Sequence, residues 1–184
     1  MSDTISQKVV AWAHSKLRQR VGRGECWDLA DQALRASGAR SSKTTGRDDN
    51  YDWGTPVRIE QVVRGDILQF RNWNVKTTTE TTVRFTDGSG YHDTDEVVAR
   101  RPHHTGIVEH VGGGGVVKVY EQHVKPGGNH VQLHEVPTRS TPPITTLTHK
   151  LMKDASGKMR MATVSTVKTV VVSGSVWAYR PQAL

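Results

Sequence analysis

The chain has 184 residues, 35% of them hydrophobic, and carries 25 Lys and Arg against 18 Asp and Glu for a formal charge of +7. That length fits one domain of ordinary size with a core that needs no staples. The single cysteine excludes an intrachain disulfide framework and a zinc site built from several cysteines, and no apolar run is long enough to span a bilayer. The opening MSDTISQKVV has neither the basic nor the apolar region of a signal peptide. The cytosol is therefore the default location, with export by a non-classical route left open. The basic excess invites an acidic partner, but Arg18, Arg20, Arg23, Arg100, Arg101, Lys150, Lys153 and Lys158 are dispersed. They read as a solvated basic surface rather than a nucleic-acid site.

In chain order, Ile5, Val9, Trp12, Ala13 and Leu17 recur at helical spacing and predict a helix over 4–20, broken by Gly22 and Gly24. A second helix is expected from Glu25 to Ser37, with Leu29, Ala30, Ala33 and Leu34 on its apolar face and Gly38 as its stop. Residues 39–56 read as a surface loop with Tyr51 and Trp53 as isolated aromatics. Strands follow: Asp66–Phe70, a Thr-rich Val75–Phe85, Asp95–Arg101 as a return, His104–Val111, Val116–His123 and Val131–Val136. Residues 144–154 are ambiguous, with a short helix as one option; Met161–Val172 and Ser175–Arg180 close the chain as strands. No repeat and no linker interrupts this order. Helices first and antiparallel strands after imply a single α+β domain over 1–184, its N-terminal helices packed on a sheet or half-barrel of about five or six strands.

Chemistry concentrates around Cys26. A thiol at a glycine-preceded helix start meets unpaired N–H groups and the positive end of the helix dipole, which favour the thiolate. The alternative is a small buried apolar residue. A cysteine nucleophile needs a base, and six of the nine histidines lie between 103 and 134. In HHTGIVEHV, His104, Gly106 and Val108 share one strand face, whereas His103 points the other way. The base needs an orienter. If Gly112–Gly115 form a four-residue hairpin loop, 111 pairs with 116, 104 falls opposite 123 and 106 opposite 121. Glu121 and His123 then share the face of His104, His123 directly opposite at about 5 Å between Cβ atoms and Glu121 on the diagonal, while Gln122 points away. A carboxylate suits an imidazolium better than a neutral histidine does, which favours Glu121.

GECWDLADQAL, RGDILQF, HHTGIVEHV and VYEQHV, in that order over roughly residues 20–125, resemble the papain-like cysteine hydrolases of the CHAP and NlpC type. They are also similar to the fungal cysteine-proteinase-fold domain found at the end of some actin-patch proteins. The resemblance implies a papain-like fold, with Cys26 as nucleophile, His104 as base, Glu121 at the CHAP glutamate, and His123 where related enzymes carry Asn or a second His. It implies a peptide or peptidoglycan-like substrate. Two positions depart from the pattern: Glu25 stands where CHAP domains carry Gln, and the Thr-rich insertion around 75–101 has no counterpart.

Other features carry less. Histidines 103, 104, 110, 123, 130 and 134 match no zinc spacing, and Gly112–Gly115 lack the helix start and Lys-Ser/Thr of a P-loop, so neither a metal nor a cofactor is expected. Trp27 and Trp53, with Trp73, are candidates to line a substrate groove. The function expected is therefore a cysteine peptidase or amidase with a Cys26–His104–Glu121/His123 site. The rivals are an inactive papain-like module that binds a peptide or protein partner, and a basic polyanion-binding protein.

Overall fold

A computed structural model of the chain describes residues 4–44, 51–124 and 128–184. Helix α1 spans Ile5–Ser15 and opens on a capping box: the Gln7 N–H donates to Thr4 Oγ1 at 3.3 Å, and the Thr4 N–H to Gln7 Oε1 at 2.7 Å. It stops short of the expected residue 20. Arg18 takes a left-handed backbone (φ +63°) and turns its N–H to the Val131 carbonyl at 2.9 Å. Helix α2, Cys26–Ala36, buries Leu29, Ala30, Ala33 and Leu34, the face its spacing predicts. The core between the helices includes Val9, Val10, Ala13, Ile67, Ile107, Tyr120 and Val131. Trp53 also belongs to it, so the segment taken for a surface loop carries a core residue.

The strands are β1 (Lys43–Thr44), β2 (Tyr51–Asp52), β3 (Thr55–Val57), β4 (Ile67–Phe85), β5 (Gly90–Val111), β6 (Val116–Glu121), β7 (Gln132–Pro137), β8 (Thr141–Lys153) and β9 (Met159–Arg180). β1 pairs with β2; the large sheet runs β3-β9-β4-β5-β6-β7, with β8 paired to β9. Two helices of 11 residues stand against strands of 19, 22, 13 and 22 residues. The expected α+β class is therefore incorrect: the chain is predominantly antiparallel β.

The error has a physical source. Segments that read as separate short strands are single long ones. β4 continues through Asn72 (φ +47°) and β9 through Gly174 (φ +85°), where a Cβ would lie 2.2 Å from the Asn72 carbonyl oxygen. Each irregular residue marks a close approach of two strands rather than an end. β5 likewise runs through Pro102 without stopping. Residues 144–154 are not a short helix but mostly β8. The helical spacing of Ile144, Leu147 and Leu151 loses to the β-branched Thr145, Thr146 and Thr148, which are stiff in a helix and suited to a pleated surface.

Two compact units divide the chain. The first, Met1–Trp73, Arg101–Arg139 and Ser173–Leu184, holds both helices and the core just described. The second, Asn74–Arg100 and Ser140–Val172, is made of strands and their turns; Val83, Phe85, Ala162 and Val164 are buried together, with Met152 against them. Among the described residues no helix is long and apolar enough to cross a membrane.

Candidate active site

Cys26 is the first residue of α2, and the loop before it is held from three directions. At Gly22 the backbone is left-handed (φ +58°), and a Cβ there would come within 2.8 Å of the Asp28 carboxyl carbon. Only glycine lets the chain pass so close. Asp28 uses that space: its Oδ2 accepts the N–H of Arg23 at 2.7 Å and of Glu25 at 3.4 Å. From β6's end, the buried Gln122 accepts the Val21 N–H at 3.2 Å and donates to the Val21 carbonyl at 3.0 Å and the Glu25 carbonyl at 2.5 Å. The thiol thus sits on a fixed helix start, at the positive end of the helix dipole.

β5 and β6 bring His104 and Glu121 together. Ile107 pairs with Tyr120 and Val108 with Val119, the register expected near the site. At the hairpin tip the register differs by one, Val111 pairing with Val117, and a bulge between Val108 and His110 absorbs the difference. His104, buried against Phe70 (ring centroids 6.1 Å apart), places Nε2 2.9 Å from Glu121 Oε2. The Nε2–H direction lies off the line to that oxygen, so the contact is a close charge contact rather than a straight hydrogen bond. With Nε2 turned to the carboxylate, Nδ1 is the ring nitrogen left for the Cys26 thiol, which lines the same cavity and raises the His104 pKa.

Glu121 is fully buried and has three cation-capable neighbours. Arg101 donates Nε–H to Oε2 at 2.9 Å and an Nη2 proton to Oε1 at 2.6 Å, its guanidinium 5.3 Å over the Trp73 ring. His134 from β7 donates Nδ1–H to Oε1 at 2.7 Å. A buried carboxylate costs several kcal/mol unless paired, and Arg101 supplies the permanent charge that pairs it.

These contacts set the titration of all three groups. Burial pushes the Cys26 thiol up, but the hydrogen bond and charge of His104 outweigh it, aided by the N–H groups of Thr105 and Trp27, and the net shift is downward. Burial pushes His104 down, but Cys26 and Glu121 reverse the direction and raise it. Burial would raise Glu121; His104, His134 and Arg101 instead hold it well below the usual carboxylate range. Each shift favours the charged form of a thiolate–imidazolium–carboxylate line.

His123 goes elsewhere. β6 ends at Glu121, and His123 adopts φ +66°, which breaks the strand alternation that would have carried it to His104. Its Nδ1 lies 2.8 Å from Glu25 Oε2, both side chains about half exposed. The histidines between 103 and 134 go to different places: His104 and His134 flank Glu121, and His123 pairs with Glu25.

A cavity of about 660 Å³ opens above the thiol, lined by residues that include Glu25, Trp27, Tyr51, Gln69, His103 and His123. Trp27 lines it as expected, with its Nε1–H on Ser42 Oγ at 3.0 Å. Trp53 does not line it; it is buried behind Trp27 and Tyr51, ring centroids 6.4 and 5.6 Å away. Trp53 donates Nε1–H to Gln69 Oε1 at 3.0 Å, and Thr105 donates its hydroxyl to the same oxygen at 2.9 Å. Trp73 likewise is buried, beside Arg101.

Sequence reasoning missed Arg101, Gln69, Gln122 and His134 as parts of the site. For Arg101 a signal existed: a carboxylate set inward on a strand needs a fixed cation nearby, and Arg101 precedes the histidine pair.

Comparison with known proteins bears on the fold family. The AIM3/BBC1 Cysteine proteinase-fold domain matches residues 1–183. Altered inheritance of mitochondria protein 3 of Debaryomyces hansenii is 31% identical over 84 residues, covering 36% of this chain and 9% of that protein. The chain thus corresponds to a small part of that curated relative's length. No solved structure matches the chain. None of these matches supports the CHAP or NlpC assignment, while the likeness to the fungal actin-patch domain agrees with them. With a match from end to end and a cysteine set at a helix start, the chain belongs to the AIM3/BBC1 cysteine proteinase-fold domain family.

Proposed function

We propose that the chain is a cysteine-dependent amide hydrolase acting on peptide or protein substrates, with Cys26 as nucleophile, His104 as base and acid, and Glu121 as orienter. The observation that carries this reading is His104 held between the Cys26 thiol and the Glu121 carboxylate at the floor of a cavity. The thiolate adds to the scissile carbonyl carbon, forming a C–S bond as the oxygen takes up negative charge. The Cys26 N–H, at the positive end of α2, stabilises that oxygen. The proton held at His104 passes to the amide nitrogen, the C–N bond breaks and the amine leaves. His104 then takes a proton from water, which displaces the thiolate from the thioester. Glu121 keeps the ring oriented and favours its charged form.

A second reading, a non-catalytic module that binds a peptide or protein in the same cavity, draws on Glu25. Its carboxylate precedes the nucleophile and opposes a thiolate, and in this structure it engages His123. A fluorogenic peptide library separates the two readings. Hydrolysis of any member that Cys26→Ala abolishes supports the enzyme. Members that bind wild type and Cys26→Ala equally, with no turnover by either, support the module.

A further inference from the structure

β8 forms its ladder with β9 alone; among the described residues its other edge is unpaired. Pro142 and Pro143 offer no N–H, so the usable edge runs from Ile144 to Lys153. The register sets Leu151 opposite Met161, His149 opposite Thr163 and Lys153 opposite Met159. His149 Nδ1 lies 3.1 Å from Thr163 Oγ1, which fixes these pairs on one face. On the other face Ala162 and Val164 are buried with Val83 and Phe85. The first face is open: Leu147, Leu151, Met159 and Met161 are 65, 57, 49 and 45% exposed. An apolar stripe across two strands, ending at a free strand edge, is unusual for a surface with no partner.

Its charge is one-sided. From Ser140 to Val172 the chain carries Lys150, Lys153, Lys158, Arg160 and Lys168 against Asp154 alone, and Arg160 already holds Asp154 at 2.5 Å. Lys150 lies on the face opposite the stripe, directly across from Ala162.

We propose that β8 is a docking edge for an extended acidic segment of a partner protein, which adds to the sheet as a further strand. Alternate residues of such a strand point to opposite faces. Apolar residues would extend the Leu147–Leu151–Met161 stripe, the carboxylates between them would face Lys150, and a carboxylate at the strand's end on the stripe face would meet Lys153. A second copy joined β8 to β8 would bring together two strands that carry Lys150 and Lys153 and no carboxylate between 144 and 153. A bilayer would cover the stripe but leave the N–H and C=O groups of the edge unsatisfied. A strand satisfies both, which is the physics of strand addition. This surface is independent of the hydrolase reading.

The test uses the whole chain and a panel of extended peptides that alternate Val or Leu with Glu or Asp, beside the same peptides carrying Lys for the acids. Binding is read by fluorescence anisotropy and by amide hydrogen exchange. The acidic panel should contain members that bind at least about tenfold tighter than their Lys counterparts, weaken with salt, and slow exchange within residues 144–153. Lys150→Glu with Lys153→Glu, and separately Leu147→Thr with Leu151→Thr, should each cost about tenfold in affinity. All four side chains are exposed, so the fold should not depend on them. Equal binding of acidic and basic peptides would overturn the proposal. So would protection outside β8, dimerisation that alone protects β8, or lysine-dependent binding to phosphatidylserine vesicles with none to peptides.

Discussion

In the unit that holds Cys26, charged and amide side chains lie deep: Glu121, Gln122, Gln69, Asp66 and Arg101 are all buried, and each is hydrogen-bonded, Asp66 to Arg180. In the strand unit the pattern is reversed. Its ion pairs, such as Lys76–Glu96 at 2.6 Å, stand at the surface, and most of its large apolar side chains, from Tyr91 to Leu147, face solvent. One unit encloses polarity to build a site; the other leaves apolar surface uncovered. The difference teaches where substitutions should be felt. Buried polar groups are costly to orphan, whereas exposed apolar ones contribute to what they meet rather than to the fold.

That contrast can be broken or sharpened by experiment. The largest effect should come from Arg101→Ala, which leaves Glu121 buried without its permanent cation and should cost about 3–5 kcal/mol by denaturant unfolding. Arg160→Ala, a part-exposed ion-pair partner in the strand unit, should cost less than about a third as much. Equal losses from the two would erase the distinction. Trp53→Ala should come next, at about 3–4 kcal/mol, against less than about 0.5 kcal/mol for Leu151→Thr.

Glu121→Gln should act on chemistry. In wild type the rate of Cys26 alkylation by iodoacetamide should rise through an inflection below the usual thiol value of about 8.5. Removing the carboxylate weakens support for the imidazolium, so the inflection should move up and the rate at neutral pH should fall several-fold. Because the folded state depresses Glu121, its contribution to stability is present above about pH 4.3 and is lost as pH falls further. Acid unfolding should therefore be less steep in Glu121→Gln. The smallest effect should be that of His123→Asn, which frees Glu25 without touching His104 and should change the alkylation rate less than about twofold. A larger effect of His123→Asn than of Glu121→Gln would move the proposed orienting role to His123.

The helix faces were legible, because Leu29, Ala30, Ala33 and Leu34 follow the helical period and nothing local opposes it. So was the meeting of His104 with Glu121, since strand alternation and hairpin pairing are local arithmetic. Strand length was not. Asn72, Pro102 and Gly174 are local breakers that pairing with neighbouring strands overrides, and this turned an expected α+β chain into a mostly β one. His123 escaped because a single left-handed residue defeats alternation, and no periodicity reveals it. Arg101 escaped because a charged residue in sequence looks like surface until its buried partner is known.

Glu121, Gln122 and His123 are consecutive, yet each addresses a different part of the cavity: His104, the loop before Cys26, and the rim at Glu25. The spacing between those parts is therefore written into three adjacent positions. A substitution at one disturbs one of these contacts, but an insertion or deletion would misdirect all three at once. In a collection of diverged relatives, this stretch should stay constant in length. A redesign of the cavity should keep its residue count fixed before choosing what fills it.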